Sequence, residues 1–147
     1  MKAVVQRVAR AEVRVEGEVV ARIERGLLVL LGVLRGDDEA RAVRFAERIA
    51  LWRCFPDEAG RMNRSLVDVG GAALVVSQVT LAADGKKGRR PSLDEAAEPA
   101  VARALYERFA AALAERGVPC RTGVFGALME VELVNDGPVT FSLEERA

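Results

Sequence analysis

Hydrophobic positions recur along this chain with two different periods. From Lys2 to Val15, valines fall in partial alternation (Val4, Val8, Val13, Val15), the spacing of a half-buried strand. Glu16-Gly17 marks a turn and Glu18 to Ile23 continues the pattern, so the two segments predict an antiparallel hairpin. Gly26 then opens an unbroken apolar run, Leu27 to Leu34, suited to a strand buried on both faces. The period changes after Asp37-Asp38, acidic residues that favour the positive end of a helix. Val43, Ala46, Ile49 and Ala50 share one face of that helix, which Phe55-Pro56 ends.

Pro56 to Ser65 reads as loop, with a turn at Glu58-Ala59-Gly60. Gly70-Gly71 precedes a second buried strand, Ala72 to Thr80, and Ala82 to Leu93 follows as a polar loop. Pro99 suits the first turn of a second helix, whose apolar stripe is Val101, Ala104, Leu105, Phe109, Ala112 and Leu113. Gly117 and Pro119 stop it. Three strands close the chain: Cys120 to Val124, Ala127 to Val134 and Val139 to Leu143. The order predicts a single α+β domain over residues 1–147, with two main helices and a mixed or largely antiparallel sheet.

Composition narrows the function classes. With 147 residues, half of them hydrophobic, the chain is long enough to bury a core. No apolar run approaches the roughly 18 residues that span a bilayer, and Met1-Lys2-Ala3 is charged too early for a signal peptide. The expectation is a soluble cytoplasmic protein without a membrane partner. The 22 basic and 22 acidic residues cancel, so no global basic field advertises nucleic acid. Cys54 and Cys120 lack metal-type spacing and there is no histidine, so neither a metal nor another cofactor is expected. The missing histidine also removes the commonest general base. Any chemistry falls to hydroxyls, carboxylates, backbone amides or the substrate itself.

Two polar stretches sit at the ends of apolar runs, where a fold exposes polar atoms without opening its core. The first is Ser77-Gln78-Val79-Thr80-Leu81. Strand alternation would put Ser77 and Val79 on one face and Gln78 and Thr80 on the other. No neighbouring base activates either hydroxyl, so capping of a strand end outweighs catalysis on this evidence alone. The second is Asn135-Asp136-Gly137-Pro138-Val139-Thr140, which reads first as a tight hairpin connection. Its functional alternative is geometric. An X–Pro bond becomes cis at a cost of about 0.5–1 kcal/mol, and a cis bond aims neighbouring carbonyls the same way, forming an acceptor pair for an ammonium group. Phe125, Met129 and Phe141 read as core or pocket wall, and Arg7 as a carbonyl cap or a solvated side chain. Glu130, Glu132 and Asp136 alternate as an exposed face would. Lys86, Lys87, Arg89 and Arg90 form the densest basic cluster, in a loop that is either plain solvated surface or a phosphate contact.

Together these residues resemble the D-aminoacyl-tRNA deacylase family, also called D-tyrosyl-tRNA deacylases. The resemblance covers essentially the whole chain: Val4-Val5-Gln6-Arg7-Val8, Gly26 to Val33, Arg61-Met62-Asn63, Gly71, Val75-Val76-Ser77-Gln78, Thr80-Leu81-Ala82-Ala83, Arg90-Pro91-Ser92, Thr122-Gly123 with Phe125, and Val134 to Phe141. One departure is Val79, where the family usually has phenylalanine; a backbone N–H there survives the change, aromatic packing does not.

The resemblance implies a barrel-like deacylase fold and hydrolysis of the ester joining a D-amino acid to tRNA. It implies catalytic residues at Ser77, Gln78, Val79 and Thr80. It also implies a homodimer in which Gly137 and Pro138 of one subunit enter the other's pocket and hold the substrate's amino group. Arg7 would secure that loop, with Met129 and Phe125 beside the substrate. L-aminoacyl esters would be rejected, while glycyl-tRNA would be accepted. Lys86, Lys87, Arg89 and Arg90 are the candidate tRNA contacts. The partners expected are therefore tRNA and a second copy, with no other protein implied. Two rival classes remain at this stage: a non-catalytic RNA-binding or editing-accessory module, and a structural dimer in which both motifs are simply turns.

Overall fold

The computed structural model describes residues 1–146. Its elements in order are β1 (Lys2–Val15), β2 (Glu18–Ile23), β3 (Gly26–Gly32), α1 (Glu39–Ala50), β4 (Phe55–Pro56), β5 (Met62–Arg64), α2 (Leu66–Val69), β6 (Ala72–Ser77), a 3-10 turn (Val79–Ala82), α3 (Pro99–Glu115), β7 (Cys120–Thr122) and β8 (Glu130–Glu144). β1 is long enough to serve three partners. Its first half pairs antiparallel with β3, its second half with β2, and its other edge with β8. The β1–β2 turn places Glu16 and Gly17 at positive φ (51° and 80°), which matches the right-handed twist of the flanking strands.

β3 pairs in parallel with β6, and β6 in parallel with β7. The sheet therefore runs β2-β1-β3-β6-β7, with β8 against β1. β2 reaches across to β6 and β7, leaving the mixed sheet nearly closed and barrel-like. This is the expected single-domain α+β architecture. α1 and α3 cover one face, where Phe45 and Phe109 meet edge to face with centroids 6.0 Å apart. A second apolar cluster fills the other face, with Val8, Val13, Leu28, Leu74 and Val76 at its centre. Truncating a fully buried ring such as Phe109 removes about 3–5 kcal/mol.

α1 begins as its sequence predicts. Asp38 caps it by accepting the Arg41 N–H at 2.8 Å. Asp37 does something else: one oxygen takes the Leu34 N–H at 2.7 Å, and the other takes the Met1 amino group and Arg41, each at 2.8 Å. The segment read as loop between Pro56 and Ser65 holds the short β4–β5 pair, and a capping box of Ser65 and Asp68 then starts the single-turn α2. Elements this short carry too little periodicity to read in advance.

Four expectations are corrected. The strand predicted to Thr80 ends at Ser77. Gln78 N–H makes a last bond to the Leu31 carbonyl at 2.8 Å, β3 ends at Gly32, and the chain turns because it has no further ladder to follow. The strand predicted to Val124 likewise stops at Thr122. The two final strands are one, β8, with no hairpin at Asn135–Pro138. Asn135 pairs with Val8 and Thr140 with Gln6, so the residues between them bulge out of a strand that keeps β1 as its partner throughout. On α3, Val101 and Ala104 face solvent and Tyr106 is buried in their place, because the inward stripe runs through Ala102, Leu105, Tyr106, Phe109, Ala112 and Leu113.

Candidate functional site

The carboxyl ends of the parallel strands are where an open sheet leaves a crevice. Here a cavity of about 490 Å³ opens beside the ends of β3 and β6. It is lined by Leu31 and Val33, by Val76 to Val79, by Ala97, Pro99 and Ala102, and by Phe125 to Met129 with Val131. None of the lining residues carries an ionisable side chain. The polar side chains available are the Ser77 hydroxyl and the Gln78 amide. The cavity therefore offers positioning and hydrogen bonds but no side-chain general base.

The turn Val79–Ala82 builds the polar wall. Leu81 N–H bonds back to the Gln78 carbonyl at 3.2 Å, and Ala83 N–H to the Thr80 carbonyl at 3.0 Å. The first N–H groups of such a turn, those of Val79 and Thr80, have no acceptor within it. Gly32 makes the close approach possible: a Cβ there would stand 2.8 Å from the Leu81 Cβ and 3.1 Å from the Gln78 carbonyl oxygen. The turn also overturns the expected alternation, since Ser77, Gln78 and Val79 all line the cavity together. Thr80 lies outside the lining, and its Oγ1 accepts a hydrogen bond from Gln78 Nε2 at 2.5 Å.

Phe125 and Met129 also line the cavity. Tyr106 of α3 packs against Phe125 with centroids 5.7 Å apart and donates its buried hydroxyl to the Val75 carbonyl at 3.0 Å. Burial pushes the Tyr106 phenol up to about 12. This residue escaped the sequence reading because a lone tyrosine in an amphipathic helix has no distinguishing signal. Ala97 and Ala102 escaped it too, and Pro99 was legible only as a helix start, not as cavity wall.

Gly137 and Pro138 do not line the cavity of their own chain. They are exposed at the outer edge of the β8 bulge, and the bond between them is cis. Three side chains hold the bulge. Asn135 Oδ1 accepts the Val139 N–H at 2.8 Å, while its Nδ2 donates to Thr140 Oγ1 at 3.0 Å. Gln6 Nε2 donates to the same hydroxyl at 3.3 Å. Arg7 spans from Nη1 on the Cys54 carbonyl, 2.6 Å, to Nε on the Asp136 carbonyl, 3.0 Å. Asn135 belonged to the motif, but its stapling role needed the bulge to be visible.

The remaining candidates lie elsewhere. Lys86, Lys87, Arg89 and Arg90 are exposed in the loop between Asp84 and Ser92, whose backbones bond to each other. Glu130, Glu132 and Asp136 are exposed, and hydrogen bonding to Arg14 holds the Glu132 carboxyl below the usual range. Glu12 is the buried carboxylate that alternation did not reveal; it pairs with Arg14 and with Arg22 across the β1–β2 ladder. Cys54 is buried in the core, and burial pushes its thiol up. Among the described residues no helix is long and apolar enough to cross a membrane.

Comparison with known proteins bears on this geometry. A family model described as D-Tyr-tRNA(Tyr) deacylase matches residues 4–144. The D-aminoacyl-tRNA deacylase of Koribacter versatilis is 58% identical over 146 residues, covering 99% of this chain and 98% of that protein. The D-aminoacyl-tRNA deacylase of Thermus aquaticus is 57% identical over 144 residues, covering 98% and 95%. Among solved structures, the c-Myc DNA Unwinding Element Binding Protein superposes with a TM-score of 0.93 at 39% identity over the full length of both chains. A probable eukaryotic D-amino acid tRNA deacylase shares the fold, with a TM-score of 0.82 at 19% identity over 97% of this chain and 98% of that one. With relatives this similar over nearly their whole length, and a family model that spans both the cavity and the bulge, the chain belongs to the D-aminoacyl-tRNA deacylase family of aminoacyl-tRNA ester hydrolases.

Proposed function

We propose that this protein hydrolyses the ester of D-aminoacyl-tRNA, and of glycyl-tRNA mischarged on alanine tRNA, in the cytoplasm. Water adds to the ester carbonyl, the tRNA hydroxyl leaves, and free tRNA and amino acid are released. An aminoacyl ester is already activated, so orientation and one oxyanion donor, worth about 3–4 kcal/mol, supply much of what is needed. The donor is the N–H of Val79 or Thr80. The ribose 2′-hydroxyl of the terminal adenosine helps to activate the water, since the cavity wall offers no base.

Selection between mirror images is assigned to a second copy of the chain. The supporting observation is that the exposed Gly137–Pro138 bulge lies outside its own chain's cavity. In a homodimer the bulge of one protomer enters the cavity of its partner, and its carbonyls hold the substrate's α-amino group. An L side chain would then run into the pocket wall, a D side chain would leave toward solvent, and glycine meets no obstacle. Lys86, Lys87, Arg89 and Arg90 contact tRNA phosphates, so neutralising them weakens affinity most at low salt.

The test is release of amino acid from D-, L- and glycyl-tRNA, combined with subunit mixing. G137A and Q78A homodimers should both be impaired. Their mixed dimer contains one cavity with intact Gln78 facing an intact Gly137, and recovers activity. A monomeric protein, equal cleavage of D and L esters, or no recovery on mixing would each sink the cross-subunit assignment.

A further inference from the structure

Arg103 stands at the rim of the cavity, and among the described residues it has no carboxylate partner. Its guanidinium lies 5.2 Å from the centre of the Phe125 ring, and Phe125 and the adjacent Ala102 are both part of the cavity wall. Tyr106 packs on the same ring and is itself anchored to Val75. The ring is therefore fixed, and a guanidinium resting on it is held near one position. Charge pairing sets this arginine apart from others on its helix. Arg108 is shared between Glu39 and Glu115, and the following Arg116 holds Glu47. Glu107 follows Arg103 at the i,i+4 spacing that favours helical ion pairs, yet among the described residues Arg103 forms none.

A positioned, unpaired guanidinium beside a pocket suits an oxyanion, and its planar fork fits phosphate. On the reading given above, the cavity takes the aminoacylated terminal nucleoside of an RNA, and that nucleoside carries a phosphate on its 5′ oxygen. We infer that Arg103 binds a backbone phosphate of the RNA 3′ end and fixes the register of the terminal nucleotide at the cavity mouth. The contact rests on the RNA-ester reading and extends it to an element distinct from the Lys86–Arg90 loop. It is independent of base identity and of the amino acid, because it addresses the backbone alone.

The experiment compares wild type, R103Q and R103K on two esters of the same D-amino acid: the aminoacyl-tRNA, and an aminoacyl-adenosine that has no phosphate. R103Q should raise KM for the tRNA ester about fivefold with kcat unchanged, and lower the slope of log kcat/KM against log salt by about 1. R103K should recover most of the affinity, and all three proteins should treat the adenosine ester alike. An equal loss on both esters would mean that Arg103 merely supports Phe125, and no loss on either would mean that no phosphate is bound; each overturns the inference. Fluorescence anisotropy with a short single-stranded RNA that carries no amino acid reads the same contact without catalysis. If wild type cleaves neither ester while R103Q still binds that RNA more weakly, the hydrolytic reading fails and the phosphate contact stands. If R103Q binds it as wild type does, the contact fails.

Discussion

Arg7 and Asp136 meet twice: Arg7 Nε donates to the Asp136 carbonyl at 3.0 Å and lies 3.4 Å from its carboxylate. The same guanidinium reaches the Cys54 carbonyl at 2.6 Å. A bulge at an exposed sheet edge is thereby tied to the segment that follows α1. Hydrogen bonds from a charged donor contribute about 1.5–3 kcal/mol each. Arg7→Ala should therefore loosen the Gly137–Pro138 segment and lower kcat/KM for D-aminoacyl-tRNA about 10- to 100-fold. Arg7→Lys should not restore it, because a single ammonium cannot span both carbonyls. Wild-type kinetics in the alanine variant would remove Arg7 from any part in placing the bulge.

Gly137 has φ +152°, and a Cβ there would lie 2.5 Å from Val139 Cγ2 and 2.6 Å from the Val139 nitrogen. Backbone flanking the added atom has to move, since neither contact is the tip of a flexible side chain. Gly137→Ala should depress D-ester cleavage at least about tenfold. The global unfolding midpoint should change little, because the segment is exposed. Unchanged preference for D over L in a folded variant would show that the bulge is not the selector.

Thr80 Oγ1 accepts a hydrogen bond from the Gln78 amide and faces no base in the cavity. Thr80→Ala is expected to retain deacylation within about tenfold, whereas nucleophile removal costs about 10⁴-fold or more. Quenched-flow trapping followed by mass spectrometry provides the second check. An acyl group recovered on Thr80 of the wild type would establish the hydroxyl as nucleophile instead.

Asp37 is buried and holds two cations, the Met1 amino group and Arg41, together with the Leu34 N–H. Removing one member of such a cluster leaves uncompensated buried charge, at a cost of about 3–5 kcal/mol. Asp37→Ala should lower the urea midpoint accordingly, without a specific change in the ratio of D to L cleavage. A midpoint equal to wild type would show that the cluster contributes nothing to stability.

Alkaline conditions should destabilise the fold before they alter the cavity. Burial raises the Cys120 thiol to about 11 and the Tyr106 phenol to about 12, and pushes Cys54 upward as well. Their ordinary values are 9.0 for cysteine and 10.0 for tyrosine. Above those values the unfolded chain releases protons that the folded chain retains, so stability is full below about pH 9 and falls as pH rises through the folded values. Urea titrations at neutral and alkaline pH should show the decline, and Cys120→Ser should reduce it. A flat profile up to pH 11 would contradict the assigned burial.

The elements that declared themselves in advance were long and strongly patterned. Leu27 to Leu31 became the buried heart of β3, Phe109 and Leu113 became the packed face of α3, and the Asp38 cap stood at the start of α1. The shortfalls share a cause. The end of β6 and the single β8 depend on where a partner strand stops or continues, and the exposure of Val101 on which stripe of α3 the core accepts; each is a property of the neighbour and not of the segment itself. The same applies to the site. Ser77, Gln78 and Val79 were legible as a polar strand end, but their convergence required the 3-10 turn that Gly32 admits.

By itself the sequence determined the fold class, the family and the absence of a histidine base, because periodicity, turn chemistry and motif residues are local properties of the chain. Only the tertiary structure decided that Phe125 and Met129 join Gln78 in lining one cavity, that Arg7 reaches Asp136, and that the exposed Gly137–Pro138 pair lies outside its own chain's cavity. Those relationships join residues far apart in sequence. They arise from how β1 apportions its edges among three strands and from the outward bulge of β8, and neither is written in any one segment's pattern.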